Sequence, residues 1–477
     1  MDYLGNLYSY LFHKRKEEIL VESTAQLEAL PQEILLTILS YLSANDLLAL
    51  STTCRRFSNL INTDDFLAKF TLRISQNAKK SNWIGHRKYN RLLVLNECIN
   101  LYIKLPKSIG IHVTSLHLDC WEVTVYEIKK VIELCPNIKE LSLMYLVRNR
   151  IPEEITKKEE IPLAKLDRFS VQGELQIFKC LKNLQVKELI IYRQSDLTVH
   201  HDELSDFIIN QKHMTNLEIY HMYFISSLFF RDEMKHVAFR LNRLIIKYST
   251  DFRYFCFGWF AESQKDSIKF VSVDDFGYDM IKFLTSFKEM KTFKLTLKES
   301  SPTEHENDIG LWNVQKSMLL PQVEDLEIEN YGHNAIHHFP NVRKLKIIGN
   351  DLELNLWYCY RLETLTVVTR NLKKQLQMHQ SVRKLTLIMY EYPKDRGPFH
   401  WNSIKLEELT LIGAKNLDWF AGFLEKLEMN LKKLRIERCD LTDEHREMLK
   451  IHGNKIDMLE IIEQDGQEIE ALTKRYI

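Results

Sequence analysis

A short apolar phrase recurs along most of this chain and constrains its fold more than any other feature. With φ for an apolar residue, the phrase is φxxLxφ, and its first copy uses Val113, Leu116 and Leu118. Later copies start at Ile138, Leu166, Val186, Met214, Leu241, Ile268, Thr292, Val323, Val342, Leu362, Val382, Leu406, Leu431 and Ile456. Successive copies are 19 to 31 residues apart. Self-similarity at this period predicts a repeat architecture.

Each copy is expected to contain one β-strand and one return segment. The L-x-φ end of the phrase places two apolar side chains on one face of a strand. After Asp119 the return has helical spacing, carried by Ile128, Val131, Ile132 and Cys135. A single unit cannot bury its own apolar face, so the copies are expected to stack.

The repeat resembles the leucine-rich repeat, whose period it shares. That resemblance implies an α/β solenoid, with parallel strands on the concave face and helices or irregular returns on the convex face. About 15 copies are placed in this way over residues 113–463.

A different apolar pattern occupies residues 28–73. Pro31 suits a first helical turn. One helical face follows it, made of Ile34, Leu35, Ile38, Leu39 and Leu42. A second apolar set comprises Leu47, Leu48, Leu50, Phe57, Leu60 and Ile61. So short a stretch buries little surface by itself. Either part of its apolar face belongs to a partner, or the helices cap the sheet that follows.

Residues 28–73 resemble an F-box. The matching phrases are Leu30-Pro31, Glu33-Ile34-Leu35, Ile38-Leu39, Tyr41-Leu42, Asp46-Leu47-Leu48, Cys54-Arg55 and Phe57. Phe57 stands where the family usually has Trp, and an aromatic ring of similar shape suits the same pocket. The phrase around Cys135-Pro136-Asn137 resembles the cysteine-containing repeats of F-box proteins.

The F-box resemblance implies a partner, a Skp-type adaptor, and through it a cullin-RING scaffold. Its implied adaptor-binding residues are Leu30, Pro31, Ile34, Leu35, Ile38, Leu39, Leu42, Leu47, Leu50, Cys54 and Phe57. The domain organisation expected from both patterns is an N-terminal tail (1–27), the F-box (28–73), a linker and N-terminal cap (74–112), the repeats (113–463) and a C-terminal cap or tail (464–477). Residues 92–95 fit an additional irregular strand.

Composition narrows the class of partner. Lys plus Arg and Asp plus Glu both total 65, so no net field favours nucleic acid or an anionic membrane, and a protein partner is expected. The eight cysteines contain no CxxC pair, which disfavours a disulfide framework or a zinc ribbon. No run of eighteen apolar residues occurs. We expect a cytoplasmic or nuclear protein with no membrane segment.

No sequence motif points to catalysis or to a cofactor. The chain lacks GxSxG, P-loop, GxGxxG and HExxH patterns. His333, His337 and His338 fit either a metal site or a surface and capping role, and we favour the latter. Cys54 adjoins Arg55 and Arg56, yet its place on a helical face favours packing over nucleophilic chemistry. We expect a non-catalytic protein.

The strand register also predicts which side chains face away from the core. Asp325, Glu327 and Glu329 make one strand acidic, between Lys294 with Lys298 and Lys344 with Lys346. These charges either pair between neighbouring strands, which we favour, or form a binding patch.

Three residues after the anchor leucine, one column is apolar in four successive copies: Ile348, Val368, Ile388 and Ile412. This column is either an exposed binding stripe or is covered by loops and strand ends. Tyr192 and Tyr220 occupy the same column earlier and are candidate aromatic anchors for a substrate.

Two further features have a plainer interpretation. The aromatic run from Phe252 to Phe260 lies in a return and favours core filling over a partner site. The polar segments 151–163 and 298–308 are expected to be solvated loops.

The F-box resemblance, together with the repeats, therefore implies a substrate-recognition subunit of an SCF-type ubiquitin ligase. The alternative is a scaffold or sequestering protein that binds the adaptor without driving degradation. An enzyme with an unusual site is the third possibility.

Overall fold

The computed structural model describes residues 30–42, 44–63, 71–74, 89–95, 110–119, 124–146, 160–173, 175–192, 202–222, 225–249, 252–274, 278–296, 319–329, 335–352, 354–372, 376–391, 405–415, 417–425 and 431–462. The chain divides into two compact units, Met1–Leu184 and Gln185–Ile477. The predicted tails 1–27 and 464–477 and the predicted loop 298–308 lie outside the described residues, as does most of the loop 151–163.

The first unit begins with three short helices and continues with strands. The helices are α1 (Gln32–Ser40), α2 (Ala44–Ser51) and α3 (Arg55–Ile61). The elements after them are β1 (Thr71–Ile74), β2 (Arg91–Leu95), β3 (Ser115–Asp119), α4 (Val125–Leu134), β4 (Glu140–Leu146), β5 (Lys165–Gly173) and a 3-10 helix (Leu175–Leu181).

The strands of the first unit pair in chain order, and each described pairing is parallel. Leu72 pairs with Leu92, Leu92 with Leu116, Leu116 with Leu141, and Leu141 with Phe169. The sheet thus starts two strands before the first predicted copy, and the strand predicted at residues 92–95 is confirmed as β2. The helix predicted before Cys135 is α4, whose Thr124 and Glu127 form a reciprocal capping box.

Strands and helical segments also alternate along much of the second unit. Its elements are β6 (Gln185–Tyr192), α5 (Asp202–Ile209), β7 (Asn216–Tyr220), α6 (Ile225–Phe229), a 3-10 helix (Asp232–His236), β8 (Arg243–Lys247), α7 (Tyr254–Gln264), β9 (Phe270–Val273), α8 (Tyr278–Leu284), β10 (Thr292–Thr296), β11 (Asp325–Glu329), a 3-10 helix (Ala335–His338), β12 (Lys344–Leu352), β13 (Asn355–Leu356), β14 (Thr364–Leu372), β15 (Gln377–Met378), β16 (Lys384–Glu391), β17 (Glu408–Ile412), α9 (Asp418–Glu425), β18 (Lys433–Glu437), α10 (Asp443–His452), a 3-10 helix (Gly453–Lys455) and β19 (Leu459–Ile462).

Twelve of these described strands pair in parallel from β6 to β19, and β13 pairs with β15 in a separate small sheet. The anchor positions of neighbouring strands are aligned and buried, as in the pairs Leu217 with Leu244 and Leu365 with Leu385. Three short helices followed by a large parallel sheet in a mixed α/β chain are therefore the observed architecture.

The copy predicted to start at Thr292 is two residues out of register. Phe293 pairs with Leu326 and with Val271, so Phe293 fills the anchor position and Met290 is the apolar start. Both side chains are fully buried. The predicted copy took Leu295 as the anchor because it fits the leucine of the phrase, whereas Phe293 packs at that position. The other predicted copies lie on strands in the predicted register.

The returns on either side of β14 are extended. Between β12 and β14, and again between β14 and β16, eleven residues must travel back along a strand of nine. A nine-residue strand is about 30 Å long, and eleven residues cover about 36 Å when extended. These two returns are extended and pair as β13 and β15. The return between β5 and β6 also has eleven residues, yet it contains a 3-10 helix, so length alone does not determine the form of a return.

Left-handed backbone follows several strands of the second unit directly. His221, Tyr248 and Arg438 have φ of 54° to 55°, and Gly413 has φ of 73°. This conformation directs the backbone N–H toward the neighbouring strand. The amide of Gly413, for example, donates to the carbonyl of Glu437 (2.9 Å). Such φ values cost a non-glycine residue about 1 kcal/mol. Three of the four described positions nevertheless have a side chain.

Side-chain amides hydrogen-bond to the backbone of neighbouring copies, close to the residues that precede the strands. Asn137 and Asn341, each preceded by proline, donate 2.7 Å bonds to the carbonyls of Ile111 and Pro321 in the copy before. The fully buried Gln264 accepts a bond from the amide of Leu241 (2.8 Å). These bonds satisfy backbone groups between strands, which explains the recurring Pro-Asn phrase.

Candidate functional site

The first candidate site is the surface of α1. Pro31 has φ −53° and ψ 149° and precedes the first helical residue, so its ring begins the helix without loss of a backbone bond. Leu35 and Leu39 point inward and are fully buried. Ile34, Ile38 and Tyr41 follow each other at spacings of four and three, on the flank of that buried stripe. Ile34 is 49% exposed and Tyr41 71% exposed.

The three helices share one small core. Its members are Leu35, Leu39, Leu47, Phe57, Leu60 and Ile61. Leu30, Leu36, Leu42, Leu50 and Cys54 are partly buried against it. A core of six side chains is small for an independent domain, so exposed apolar residues beside it are a candidate docking surface.

The predicted adaptor-binding residues therefore fall into two groups, those in the core and those at least partly at the surface. Leu35, Leu39, Leu47 and Phe57 are interior, so they can affect a partner only by holding the helices in place. Leu30, Ile38, Leu42, Leu50 and Cys54 are half-buried, while Pro31 and Ile34 are exposed. Tyr41, which follows α1, matches the F-box pattern and is the most exposed large apolar side chain among the described residues of 30–63, but the predicted set omitted it. The side chain of Leu48 lies outside the described residues.

Two contacts fix α3 against the rest of this region. The guanidinium Nη2 of Arg56 donates a 2.7 Å bond to the carbonyl of Leu30. The thiol of Cys54 accepts a 3.5 Å bond from the amide of Phe57, which makes Cys54 the N-cap of α3. Cys54 thus has a capping role in addition to the packing role predicted for it.

The second candidate site is the outward face of the strands in the second unit. Tyr192 and Tyr220 are paired residues of β6 and β7, and their rings stack 4.7 Å apart at 12°. The phenol of Tyr220 donates to Glu218 (3.0 Å), which also accepts from Arg243 (3.2 Å). Burial, together with the charge of Glu218, raises the pKa of Tyr220. The structure therefore brings the two predicted aromatic anchors together on a half-buried surface.

The apolar column predicted on the same face is in register but only partly accessible. Ile348 pairs with Val368, Val368 with Ile388, and Ile388 with Ile412. Ile348 is only 9% exposed and Val368 2%, whereas Ile388 and Ile412 are half-buried. Of the two alternatives, coverage applies to Ile348 and Val368 and the exposed stripe is wrong for them. Strands β12 and β14 both continue four residues past this column.

The charged strands pair laterally, as the favoured interpretation predicted. Lys294 contacts Glu327 (2.8 Å) and Glu329 (2.6 Å), and Lys346 contacts Glu327 (3.3 Å). Burial alone would raise the pKa of Glu329, but bonds from Lys294 and Thr296 lower it overall. Charges that satisfy one another are poor candidates for a binding patch. Lys298 lies outside the described residues.

The aromatic run forms helix α7 and is divided between core and surface. Phe257 and Phe260 are fully buried, which confirms the core-filling interpretation for them. Phe255 and Trp259 are exposed and contact the exposed Phe230 at 5.9 Å and 6.3 Å between ring centroids. This exposed cluster was not predicted, since an unbroken aromatic run hides which members face outward.

No group of three His, Cys, Asp or Glu residues suited to a metal occurs within the described ranges. His338 is buried and His337 is exposed, while His333 lies outside those ranges. Burial raises the pKa of the Cys359 and Cys439 thiols to about 11, which disfavours the reactive thiolate. Among the helices of the described segments, none is long and apolar enough to cross a membrane.

Comparison with known proteins gives one match. A model of the F-box-like family matches residues 27–73, about a tenth of the chain. This range coincides with the three helices and the start of β1. No curated protein is significantly similar to the chain. Residues 27–73 are therefore an F-box-like domain. The description of the strand-rich remainder comes from its structure alone.

Proposed function

We propose, from the F-box-like domain at residues 27–73, that this chain is the substrate-recognition subunit of an SCF-type ubiquitin ligase. F-box domains generally bind Skp-type adaptors, which connect them to a cullin-RING scaffold. In this proposal the chain supplies no catalytic side chain. It raises the local concentration of a target's lysines near the charged ubiquitin, and proximity alone gives a large rate effect.

The observation that carries the adaptor half of the proposal is the exposed flank of α1. Ile34, Ile38 and Tyr41 form an apolar stripe that the domain's own core leaves uncovered. Pro31 and Leu30 extend it beyond the start of the helix, and Arg56 fixes Leu30 there. A helix with an apolar flank exposed to water is stabilised when a partner covers it.

The target half of the proposal assigns binding to the repeats. Parallel strands that recur at the predicted spacing support a leucine-rich-repeat solenoid, and such stacks present extended binding surfaces. The stacked Tyr192 and Tyr220, with the half-buried Ile388 and Ile412, are the proposed substrate contacts on the outward strand face. Ile348 and Val368 would support this surface from beneath.

The adaptor half is tested by co-purification of the full chain with a Skp-type adaptor. Replacing Ile34 by Asp is expected to weaken binding at least about tenfold, since a charge would be buried without a partner. Ile451→Asp is the matched control: Ile451 is also an exposed helical isoleucine, in α10. Undiminished binding by the Ile34 variant, or by a Leu30→Ala/Pro31→Ala variant, would contradict the proposed surface.

The target half is tested by affinity capture with the docking surface disabled. The Ile34→Asp chain should retain targets that the intact complex would send to degradation. A captured protein that is ubiquitinated only when the intact chain and the cullin complex are supplied supports the ligase role. A captured protein that stays unmodified under those conditions favours the alternative, a scaffold or sequestering protein.

A further inference from the structure

The extended return between β12 and β14 presents three large aromatic side chains to solvent. Trp357 is 55% exposed, Tyr358 62% and Tyr360 60%. The return is anchored by Leu356, Cys359 and Leu362, which are buried and spaced three residues apart. That spacing leaves the residues between the anchors outside, so the exposure of the rings is a property of the turn itself.

Histidines from the neighbouring returns extend this aromatic surface on both sides. His337, from the preceding return, contacts Tyr358 with ring centroids 5.9 Å apart. His379, from the following return, contacts Trp357 at 6.0 Å and Tyr360 at 6.4 Å. The rings thus form one continuous surface across three successive copies, which we call the return-side aromatic surface.

The turn that displays this surface is held in place by short-range bonds. Asn355 Oδ1 accepts a bond from the amide of Trp357 (3.3 Å), and the carbonyl of Cys359 accepts one from Ser381 (3.4 Å). A preorganised set of rings binds with a smaller loss of conformational entropy than a mobile one. Trp and Tyr are also the residues most enriched among binding hot spots.

The charged side chains in the described parts of these three returns are mostly positive. Within residues 335–343, 354–363 and 376–383 the charged side chains are Arg343, Arg361, Arg383 and Glu363. Glu363 lies 3.9 Å from Arg343. Arg361 is exposed beside Tyr360 and has no ion pair with any residue that the structure describes. These returns therefore combine exposed aromatic rings with an excess of arginine, and Arg361 adjoins the rings in sequence.

We propose that the return-side aromatic surface binds an acidic peptide segment of a partner protein. Apolar or aromatic side chains of the segment would lie on Trp357, Tyr358 and Tyr360, and its carboxylates would face Arg361. This inference extends the proposed function by giving the repeats a class of partner, and it rests on that proposal only in taking the partner to be a protein.

The test selects peptides from a phage-displayed random library on the immobilised full chain. We expect the selected peptides to be enriched in Asp and Glu together with aromatic residues. A fluorescein-labelled synthetic copy of one should bind the Trp357→Ser/Tyr358→Ser/Tyr360→Ser chain at least about tenfold more weakly. Arg361→Glu, which leaves the rings in place, should also weaken binding, and added salt should reduce the affinity of the unaltered chain.

The matched control is Phe230→Ser/Phe255→Ser/Trp259→Ser, which removes the other exposed aromatic cluster and should leave peptide binding unchanged. Selected peptides without an acidic excess would overturn the inference, and so would serine and Arg361 variants that bind the peptide as tightly as the unaltered chain does. So would tighter, ring-dependent binding of a fluorescein-labelled oligothymidine, which would assign the surface to nucleic acid. Adaptor co-purification with the serine variant tests the proposed function separately, because that variant leaves α1 intact.

Discussion

Arg56 and Leu30 are joined by a hydrogen bond of 2.7 Å from the guanidinium to the backbone carbonyl. The bond connects the third helix of the F-box-like domain to the residue that precedes the first helix, across 26 positions of sequence. It fixes the start of α1 from outside the core, and so it determines where the proposed adaptor surface begins.

Removing this bond is expected to loosen the start of α1. Arg56→Ala should destabilise the domain by about 1 kcal/mol, the usual loss for one such hydrogen bond. Hydrogen exchange of the amides of residues 32–40 in the full chain would detect the change as faster exchange. Arg55→Ala is the control, since Arg55 is also exposed and adjoins Arg56. Equal effects of the two substitutions would show that the bond contributes nothing.

The thiol of Cys54 caps α3, and oxygen is a better acceptor for this purpose. Cys54→Ser should keep or slightly increase the stability of the helix, whereas Cys54→Ala should cost about 1 kcal/mol. Protection of the Phe57 amide against hydrogen exchange reports the cap directly. If Cys54 acts by packing alone, the alanine variant will match the serine variant and the Phe57 amide will not respond.

The ion pairs of Lys294 give stability a defined pH dependence. The folded pKa of Glu329 is below its ordinary value of 4.5, so its contribution is present above pH 4.5 and is lost as pH falls through the folded value. The pKa of Lys294 is raised above 10.5, so its contribution is lost only as pH rises beyond that. Lys294→Met should therefore lower the midpoint of thermal unfolding near neutral pH and reduce its fall on acidification.

The measurement is thermal unfolding at about pH 7 and at about pH 3 for the two chains. Lys450→Met is the control, because its ion pair with Glu447 is largely exposed and should contribute little. An acid dependence that is the same with and without Lys294 would exclude this network as its source.

Two glycines should respond to alanine with opposite signs. Gly413 has φ of 73°, and an added Cβ would come no closer than 3.7 Å to the carbonyl of Met389, so the loss from Gly413→Ala is backbone strain of about 1 kcal/mol. Gly422 lies within helix α9 with open space around it, so Gly422→Ala should stabilise by about 0.5 to 1 kcal/mol. Chemical denaturation measures the free energy of unfolding of both variants, and each variant serves as the control for the other.

The parallel sheet and the F-box-like helices were predictable because both depend on periodic apolar residues. Leu116, Leu217 and Leu365 are anchors of a pattern that only a stacked strand satisfies. The copy at Met290 was misplaced because Leu295 fits the leucine of the phrase, whereas Phe293 occupies the anchor position. The buried Val368 could not be distinguished from the half-buried Ile412, because how far a strand continues beyond a position depends on its neighbours.

Side chains at the ends of elements were the hardest to predict. The capping role of Cys54 and the bond from Arg56 depend on helix ends that apolar spacing does not locate. His221 and Tyr248 adopt the backbone conformation of Gly413, yet only the glycine signals it in sequence. The exposed Trp357 and Tyr358 resemble core residues in composition, and only the spacing of Leu356, Cys359 and Leu362 distinguishes them.

The extended returns on either side of β14 limit how this part of the chain can change in length. Eleven residues span the distance with little excess, so a deletion there would pull the next strand out of register. Helical returns elsewhere can absorb the loss or gain of a residue at a helix end. Natural variants of the protein should thus tolerate insertions and deletions in the copies with helical returns and keep the copies that start at Val342 and Leu362 at constant length.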